Sequence, residues 1–187
     1  TYLLRGVTGS GKTEVYMELI AHTVAQGRQA IVLIPEIALT YQTVMRFYNR
    51  FGDRVSIMNS KLSQGERFDQ FERAKAGDID IMIGPRSALF TPFPHLGLII
   101  IDEEHETSYK SETAPRYHAR DVAIERACMN DASVLLGSAT PSVDSYYQAM
   151  QGKYQLLTLS ERVEKKPLPD CEVVDLRSEL RAGNRSI

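Results

Sequence analysis

A glycine-rich loop near the start of the chain constrains its fold more than any other feature. The loop, Gly6-Val7-Thr8-Gly9-Ser10-Gly11-Lys12-Thr13, has the spacing GxxxxGKT, follows the apolar run Tyr2-Leu3-Leu4 and precedes a helix-like stretch from Glu14 to Ala25. A flexible surface turn would not need that strand and helix context. The pattern predicts a strand, a turn and a helix whose backbone N–H groups surround phosphate oxygens.

The side chains of this loop complete the predicted nucleotide site. Lys12 would place its charge on the outer phosphates of a nucleoside triphosphate, and the Thr13 hydroxyl would ligate Mg²⁺. We therefore expect ATP or a related triphosphate, with Mg²⁺, to bind here. The predicted phosphate-binding residues are Gly6, Thr8, Gly9, Ser10, Gly11, Lys12 and Thr13.

Short apolar runs alternate with longer amphipathic segments along the rest of the chain. Runs rich in β-branched residues without strict polar alternation are typical of parallel strands buried on both faces. They are Ala30 to Ile34, Val55 to Met58, Ile79 to Ile83, Leu98 to Ile101 and Val134 to Leu136, with helices predicted at Leu39 to Phe51, Ser63 to Ala76 and Ala119 to Met129. This alternation predicts a three-layer α/β/α fold around a doubly wound, mostly parallel sheet. A late pair of runs, Tyr154 to Leu159 and Glu172 to Leu176, predicts one or two edge strands.

The domain boundary is predicted near residue 160. Residues 1–160 would form one domain, and residues 161–187 a linker or the start of a connection to another lobe. The stretch from Glu164 to Pro169 combines charge and proline, which is typical of a linker. Because the phosphate loop begins five residues after the first residue, we expect the chain to be part of a longer protein.

The overall charge does not indicate a nucleic-acid-binding surface. With 22 basic and 24 acidic residues the net charge is −2, so any nucleic-acid binding would depend on a local patch. Cys128 and Cys171 lack metal-ligand spacing, and we interpret them as reduced thiols of a cytoplasmic protein that form no metal site. No apolar run has the length of a membrane span, so we expect no membrane association.

A pair of carboxylates follows one predicted strand directly. Leu98 to Ile101 runs into Asp102-Glu103-Glu104-His105. Asp102 at the strand end could face Thr13 and hold Mg²⁺, while Glu103 could orient and deprotonate the water that attacks the γ-phosphate. A solvated acidic turn is the alternative, and the phosphate loop in the same chain favours the catalytic interpretation.

His105 is predicted to form a hydrogen-bond link between the acidic segment and the segment that follows the strand at Val134 to Leu136. The segment Gly137-Ser138-Ala139-Thr140 follows the strand at Val134 to Leu136 and would lie at the same sheet edge. His105 could hydrogen-bond toward the hydroxyls of Ser138 and Thr140, which would serve as coupling residues. Thr140-Pro141 also suits a helix N-cap with proline at the first helical position.

The order and spacing of these motifs resemble the first RecA-like lobe of superfamily 2 helicases. Three more segments narrow the resemblance to the primosomal helicases of replication restart: Ile34-Pro35-Glu36-Ile37-Ala38-Leu39-Thr40, Gly84-Pro85-Arg86-Ser87-Ala88-Leu89-Phe90 and Tyr117-His118-Ala119-Arg120-Asp121. The resemblance implies an ATP-dependent 3′ to 5′ DNA helicase that binds single-stranded and branched DNA. It also implies a second helicase lobe with an arginine finger, primosome and single-strand-binding proteins as partners, and a zinc module in parts of the protein outside this chain.

In the family, two strand ends line the path of the DNA. They correspond to Pro35, Glu36 and Thr40 after one strand, and to Arg86 and Ser87 after another. Arg86 and Ser87 are the best phosphate candidates. Pro85 stands where the family commonly has threonine. An ordinary strand-to-helix loop is the alternative at both places.

The long polar segment from Glu106 to Arg120 interleaves aromatic and cationic residues. Tyr109 and Tyr117 could stack on bases, while Lys110, Arg116 and Arg120 approach phosphates. DNA bound there could change the position of Glu103, which lies a few residues away in the sequence. A solvated surface loop leading to a helix is the alternative.

Other functions compete with a helicase motor for these motifs. A small-molecule kinase would need an arginine-rich lid and a pocket for the phosphate acceptor. A nucleotide-gated binding module that never hydrolyses ATP would lack Glu103. Another superfamily 2 helicase or translocase would share the general motifs. Since the arginine finger would lie in the second lobe, we expect slow hydrolysis by this chain alone.

Overall fold

Seven strands pair side by side, all in parallel, in a computed structural model that describes residues 1–163 and 174–181. The strands are β1 (Tyr2–Gly6), β2 (Gln29–Leu33), β3 (Val55–Ile57), β4 (Ile81–Gly84), β5 (Leu96–Ile101), β6 (Ser133–Ser138) and β7 (Gln155–Leu159). Their order across the sheet is β3-β4-β2-β5-β6-β1-β7. The chain therefore crosses over between strands, as a doubly wound fold requires.

Helices connect the strands and cover both faces of the sheet. They are α1 (Lys12–Ala25), α2 (Tyr41–Phe51), α3 (Gln64–Ala76), α4 (Ala119–Met129) and α5 (Val143–Met150), and a sixth helix, α6 (Leu176–Arg181), comes after the last strand. Successive residues of β2 point to opposite faces: Ile31 joins one buried cluster and Val32 joins the other. The first cluster includes Ala74 of α3 and Ala123 of α4, and the second includes Ile20 of α1 and Phe47 of α2. The predicted α/β/α layers are confirmed.

The start of α2 differs from the prediction by two residues. Glu36–Ala38 form a short 3₁₀ turn, and the Thr40 hydroxyl accepts a hydrogen bond from the Thr43 N–H at 3.3 Å. Thr40 is thus the N-cap, and the helix begins at Tyr41.

The late pair of predicted strands has a mixed outcome. β7 pairs with β1 and forms one edge of the sheet, as predicted. The predicted strand from Glu172 to Leu176 is wrong where the structure describes it, because Leu176 begins α6 and Asp175 caps that helix by accepting the Arg177 N–H at 3.0 Å. Glu172 and the predicted linker from Glu164 to Pro169 lie outside the described residues.

Because the strands are all parallel, their carboxyl ends meet at one edge of the sheet. The loops after β1, β5 and β6 carry the phosphate loop, the acidic segment and the Ser138 to Thr140 segment. The loops after β2 and β4 carry Pro35 and Arg86. The polar residues chosen from the sequence therefore share one edge, as expected of ligand sites in open α/β sheets.

Candidate active site and adjacent cleft

The phosphate loop has the backbone geometry that its glycines permit. Gly9 and Gly11 have φ angles of 81° and 87°, a region that other residues adopt only with strain. Helix α1 begins directly after Gly11, so its first N–H groups face the loop. Lys12 Nζ donates to the Gly6 carbonyl at 2.9 Å, which holds the ammonium group at the loop.

A buried hydroxyl oxygen inside the loop indicates whether a phosphate group suits this site. The Ser10 hydroxyl oxygen is buried and has no hydrogen-bond partner among the described residues. A Cβ at Gly6 would lie 2.5 Å from that oxygen, so only glycine leaves the space open. An unpartnered buried hydroxyl beside a lysine and a helix N-terminus suits an anionic ligand.

A cavity of about 570 Å³ lies on the outer side of the loop. Its lining combines loop residues with side chains from α2 and from the segment after β7: Thr8, Gly9, Gly11, Thr13, Glu14, Arg46, Arg162 and Val163. The Val163 N–H donates to the Gly9 carbonyl at 3.1 Å, which fixes this segment against the loop. Sequence reasoning missed Arg46, because a single arginine in an amphipathic helix carries no motif.

Asp102 lies at the end of β5 and is held by a tyrosine that the sequence analysis overlooked. Tyr16 of α1 donates its hydroxyl hydrogen to Asp102 Oδ1 at 2.9 Å. Burial raises the pKa of the Asp102 carboxyl, and the hydrogen bond from Tyr16 partly opposes that shift. Burial, together with the Asp102 charge, also raises the pKa of Tyr16, so its hydroxyl remains a proton donor. An ideal Cβ at Gly137 would lie 1.8 Å from the Tyr16 hydroxyl, so β6 needs glycine there.

Glu103 occupies an unusual backbone conformation. Its φ angle of 47° lies in the left-handed region, which costs a residue with a side chain about 1–2 kcal/mol. The carboxyl is about one third exposed, at 33%. Burial and the nearby charge of Asp102 raise the pKa of Glu103, while Lys12 and His105 oppose that shift. The conformation and the raised pKa are both typical of a proton acceptor in an active site.

The predicted contact between His105 and Ser138 is present. His105 Nδ1 lies 2.8 Å from Ser138 Oγ and 3.6 Å from Glu103 Oε2. Ser138 Oγ in turn accepts the Thr140 N–H at 3.0 Å. The imidazole therefore lies between the acidic segment and the loop after β6, while its coupling role stays a prediction.

The helix after this loop begins later than predicted. Ser142 is the N-cap of α5, since its hydroxyl accepts the Ser145 N–H at 3.2 Å. The prediction of an N-cap at Thr140 with Pro141 inside the helix is wrong. Ser142 has the extended backbone of an N-cap residue, with a ψ angle of 149°, and Glu104 accepts its backbone N–H at 2.6 Å.

A second cavity, of about 690 Å³, lies at the ends of β2 and β4 and is called the cleft below. It brings together six of the predicted DNA-contact residues, Pro35, Glu36, Arg86, Ser87, Tyr109 and Lys110. Ser60 and Arg67, which the sequence analysis did not single out, also line it. Thr40 is not one of its lining residues and caps α2 instead.

The two arginines of the cleft donate to backbone carbonyls. Arg86 Nη1 lies 2.6 Å from the Lys110 carbonyl and 3.2 Å from that of Ser108. Arg67 Nη2 donates to the Ser60 carbonyl at 3.2 Å. Glu36 accepts from the N–H and hydroxyl of Ser60, and these hydrogen bonds lower the pKa of its carboxyl. Among the described residues, no carboxylate forms an ion pair with Arg86 or Arg67.

Two predicted DNA contacts are contradicted by burial. Tyr109 is 1% exposed, and its hydroxyl lies 2.6 Å from the Asp102 carbonyl oxygen and 3.0 Å from that of Leu33. An aromatic ring enclosed in the core cannot stack on a base. Arg120 is 14% exposed and donates to Ser145 Oγ at 3.0 Å, so it faces α5 rather than a phosphate path.

Arg116 and Tyr117 lie in a neighbouring depression of about 580 Å³ with Lys110 and Glu112. Tyr117 packs edge-on against the Phe90 ring at a centroid distance of 5.5 Å. These two residues remain predicted DNA contacts, next to the cleft and outside its lining.

Neither a cluster of metal-ligating side chains nor a membrane-spanning helix is present in the described part of the chain. In residues 1–163 and 174–181, no group of three or more His, Cys, Asp or Glu side chains is arranged to hold a metal ion. Within the same part of the chain, no helix is both long and apolar enough to span a membrane. The Thr13 hydroxyl and the Asp102 carboxylate suit Mg²⁺, which commonly takes one or two protein ligands with substrate phosphates and water.

Comparison with known proteins agrees with this geometry. The chain is 53% identical over 186 residues to the replication restart protein PriA of Bacillus subtilis, and covers 23% of that protein's length. It is 52% identical over 188 residues to the PriA protein of Chlamydia pneumoniae and covers 25% of it. The chain therefore spans about a quarter of the length of these relatives.

A structural relative is RecG bound to a three-way DNA junction. It matches 85% of this chain and 20% of its own, with a TM-score of 0.59 and 26% identity. The family model for DEAD/DEAH box helicases matches residues 1–149, which include the phosphate loop, the acidic segment and the Ser138 to Thr140 segment. This chain belongs to the DEAD/DEAH box helicase family.

Proposed function

We propose that this chain is the ATP-binding lobe of an ATP-dependent DNA helicase whose hydrolysis is coupled to movement along DNA. The observation that carries the proposal is the position of Tyr109. Its hydroxyl contacts the carbonyl of Asp102, while the turn on which it lies is held by Arg86 of the cleft. One short segment thus touches both the acidic end of β5 and the surface proposed to bind DNA.

The residues at the ends of β1 and β5 support a hydrolytic role. Lys12 and the loop N–H groups would bind the phosphates, and Thr13 and Asp102 would hold Mg²⁺. When bound, Mg²⁺ supplies positive charge that neutralises the developing charge on the phosphate oxygens. Glu103 would accept a proton from the attacking water, a role helped by its raised pKa. His105 would relay the state of this site to Ser138 and Thr140.

The cleft supports single-strand binding through the phosphate backbone. The path of the single DNA strand would be lined by Pro35, Glu36, Ser87 and Lys110. Arg86 would contact a phosphate of that DNA strand. A guanidinium on backbone carbonyls can move to a phosphate without breaking an ion pair. Moderate binding suits a motor, since a strongly basic surface would not release the strand at each step.

We further propose that the lobe works within a longer cytoplasmic polypeptide at stalled or branched replication forks. That proposal rests on the similarity to replication restart proteins. The intact protein would translocate 3′ to 5′ and act with primosome and single-strand-binding proteins. A second lobe would supply the arginine finger, worth about 10³ to 10⁵ in rate in related systems. Zinc is proposed only for regions outside this chain.

The test compares ATP hydrolysis by the full-length protein on single-stranded, duplex and forked DNA of equal length. We expect turnover to depend on DNA, with the highest rate on forks, and Lys12→Ala to abolish turnover and unwinding while branched-DNA binding survives. The isolated chain should bind nucleotide weakly and hydrolyse it slowly. Turnover independent of DNA would refute a motor, and equal rates on all three DNAs would refute fork preference.

A further inference from the structure

Glu104, between two residues of the proposed catalytic site, points the opposite way. Glu104 as a whole residue is 2% exposed, whereas the side chains of Glu103 and His105 on either side are each about a third exposed, at 33% and 32%. Burying a carboxylate costs free energy that an apolar side chain would not. The hydrogen bonds of Glu104 must therefore offset this cost in free energy.

The Glu104 carboxylate ties the acidic segment to the start of α5. It accepts the Ser142 N–H at 2.6 Å, the Ser142 hydroxyl at 3.1 Å and the Ser145 hydroxyl at 2.7 Å. Its backbone N–H donates to the Gly137 carbonyl at 3.0 Å. Glu104 is thus anchored at both its main chain and its side chain to the segment that contains Ser138 and Thr140.

Arg120 extends this network to α4. Its guanidinium donates to Ser145 Oγ at 3.0 Å, and Ser145 in turn donates to Glu104. Ser145 is fully buried, so this cation reaches the buried carboxylate through one shielded hydroxyl. The network joins the acidic segment, α5 and the N-terminal turn of α4.

The main-chain and side-chain hydrogen bonds of Glu104 restrict the backbone conformation of Glu103. A left-handed conformation at a residue with a side chain persists only where its surroundings over-determine it. The peptide that follows Glu103 is fixed by Gly137, and the next side chain is fixed by Ser142 and Ser145. Without these contacts, the backbone at Glu103 could relax and turn its carboxylate away from the phosphate loop.

We propose that Glu104 is a positioning residue for hydrolysis: its anchored carboxylate holds the left-handed turn of Glu103 and keeps the Ser138 to Thr140 segment against it. This inference rests on the proposed function, since it presumes that Glu103 activates water. A displacement of about 1 Å at a reacting group can cost about a hundredfold in rate. Loss of the Glu104 contacts should therefore reduce turnover and leave substrate binding intact.

The test uses Glu104→Gln in the full-length protein. Glutamine keeps the shape of the side chain but replaces one acceptor oxygen by an NH2 donor. That group would face either the Ser142 N–H or the hydroxyls of Ser142 and Ser145, whose oxygens already accept from the Ser145 N–H and from Arg120. We expect kcat for DNA-stimulated ATP hydrolysis to fall about tenfold to hundredfold, with KM for ATP and DNA affinity within about twofold of the wild type. Glu125→Gln, the same change at an exposed position of α4, should leave kcat unchanged.

Binding stoichiometry separates positioning from loss of folded protein. Titration with a fluorescent ATP analogue should give the wild-type number of sites for Glu104→Gln. Ser145→Ala, which keeps α5 helical, should lower kcat by about threefold to tenfold, and adding it to Glu104→Gln should cost little more because both act in one network. Wild-type kcat in both variants, or a fall in kcat matched by lost binding sites, would overturn the inference. Absence of turnover in the wild type would overturn the proposed function itself, and the inference with it.

Discussion

The two halves of the sheet edge satisfy their polar groups in different ways. At β1, β5 and β6, two of the proposed reacting groups bond to side chains from other elements, Asp102 to Tyr16 of α1 and His105 to Ser138 of β6. At β2 and β4, the cations Arg86 and Arg67 bond to backbone carbonyls of nearby loops. Under the proposed function, the first arrangement would hold the reacting groups in place, while the second would leave arginines free to move to a phosphate.

This difference matches what each half is proposed to do. Hydrolysis needs groups held in place before the substrate arrives, since preorganised groups cost no rearrangement during the reaction. Translocation needs contacts that form and break at every step. If the comparison is right, conservative changes in the nucleotide half should reduce turnover strongly, and changes in the cleft should weaken DNA binding moderately.

The largest effect is expected from Glu103→Gln. The amide keeps the size of the side chain but cannot accept the proton of the attacking water, and a positioned proton acceptor contributes about 10² to 10⁴ in rate. DNA-stimulated ATP hydrolysis by the full-length protein should fall by that factor, with branched-DNA binding largely retained. If DNA binding were lost in both Glu103→Gln and Lys12→Ala, these residues would be structural rather than catalytic.

A smaller but still clear effect is expected from Tyr16→Phe. The change removes one hydroxyl and leaves the Asp102 carboxylate without its donor at 2.9 Å. Hydrogen bonds to charged groups are worth about 1.5–3 kcal/mol, so we expect about a tenfold higher Mg²⁺ concentration for half-maximal hydrolysis. Tyr147→Phe, at an exposed position of α5, is the matched control. Equal Mg²⁺ dependence in both variants would mean that Tyr16 does not position Asp102.

In the cleft, Arg86→Ala should weaken DNA binding about threefold to tenfold. The loss of one phosphate contact should also reduce the slope of log affinity against log salt by about one. The measurement is fluorescence anisotropy of labelled single-stranded DNA at several salt concentrations without ATP. Arg50→Ala, on α2 and paired with Glu18, should bind DNA like the wild type. If both variants lost affinity equally, the effect would be one of general charge.

The smallest effect concerns the scaffold of the cleft rather than its contacts. Ser63 and Glu66 form a capping box at the start of α3, with the Ser63 N–H donating to Glu66 at 2.8 Å. Ser63→Ala should lower the free energy of unfolding by about 1 kcal/mol and leave DNA-stimulated hydrolysis unchanged. Chemical denaturation measures the difference against Ser133→Ala, an exposed position at the start of β6. Equal stability of the two variants would contradict the capping role.

Sequence patterns predicted the fold well because a parallel sheet buried on both faces leaves continuous apolar runs. The runs at Ala30 to Ile34 and Leu98 to Ile101 became β2 and β5 with small shifts at their ends. The contact between His105 and Ser138 could be predicted because Ser138 ends β6 and His105 follows β5, its neighbour in the sheet. Local pattern and strand order were sufficient there.

The remaining features depend on contacts between distant parts of the chain. Tyr16 and Asp102 are 86 residues apart, and the sequence pattern alone indicates only that Tyr16 is a core residue of α1. Glu104 reads as a solvated acid, although its partners Ser142 and Ser145 lie 38 and 41 residues further along. Tyr109 lies in a polar segment, which favoured an exposed ring over the buried one observed. Composition around these residues gives no sign of which face of the segment turns inward.

Under the proposed function, hydrolysis in one half of the sheet edge depends on DNA bound in the other half. The most direct test titrates the full-length wild type, Glu103→Gln and Arg86→Ala with single-stranded DNA while ATP hydrolysis is followed. We predict that Glu103→Gln stays near zero at every DNA concentration, and that Arg86→Ala reaches the wild-type plateau only at higher DNA concentration. Stimulated turnover by Glu103→Gln, or an Arg86→Ala curve that coincides with the wild type, would contradict the claim.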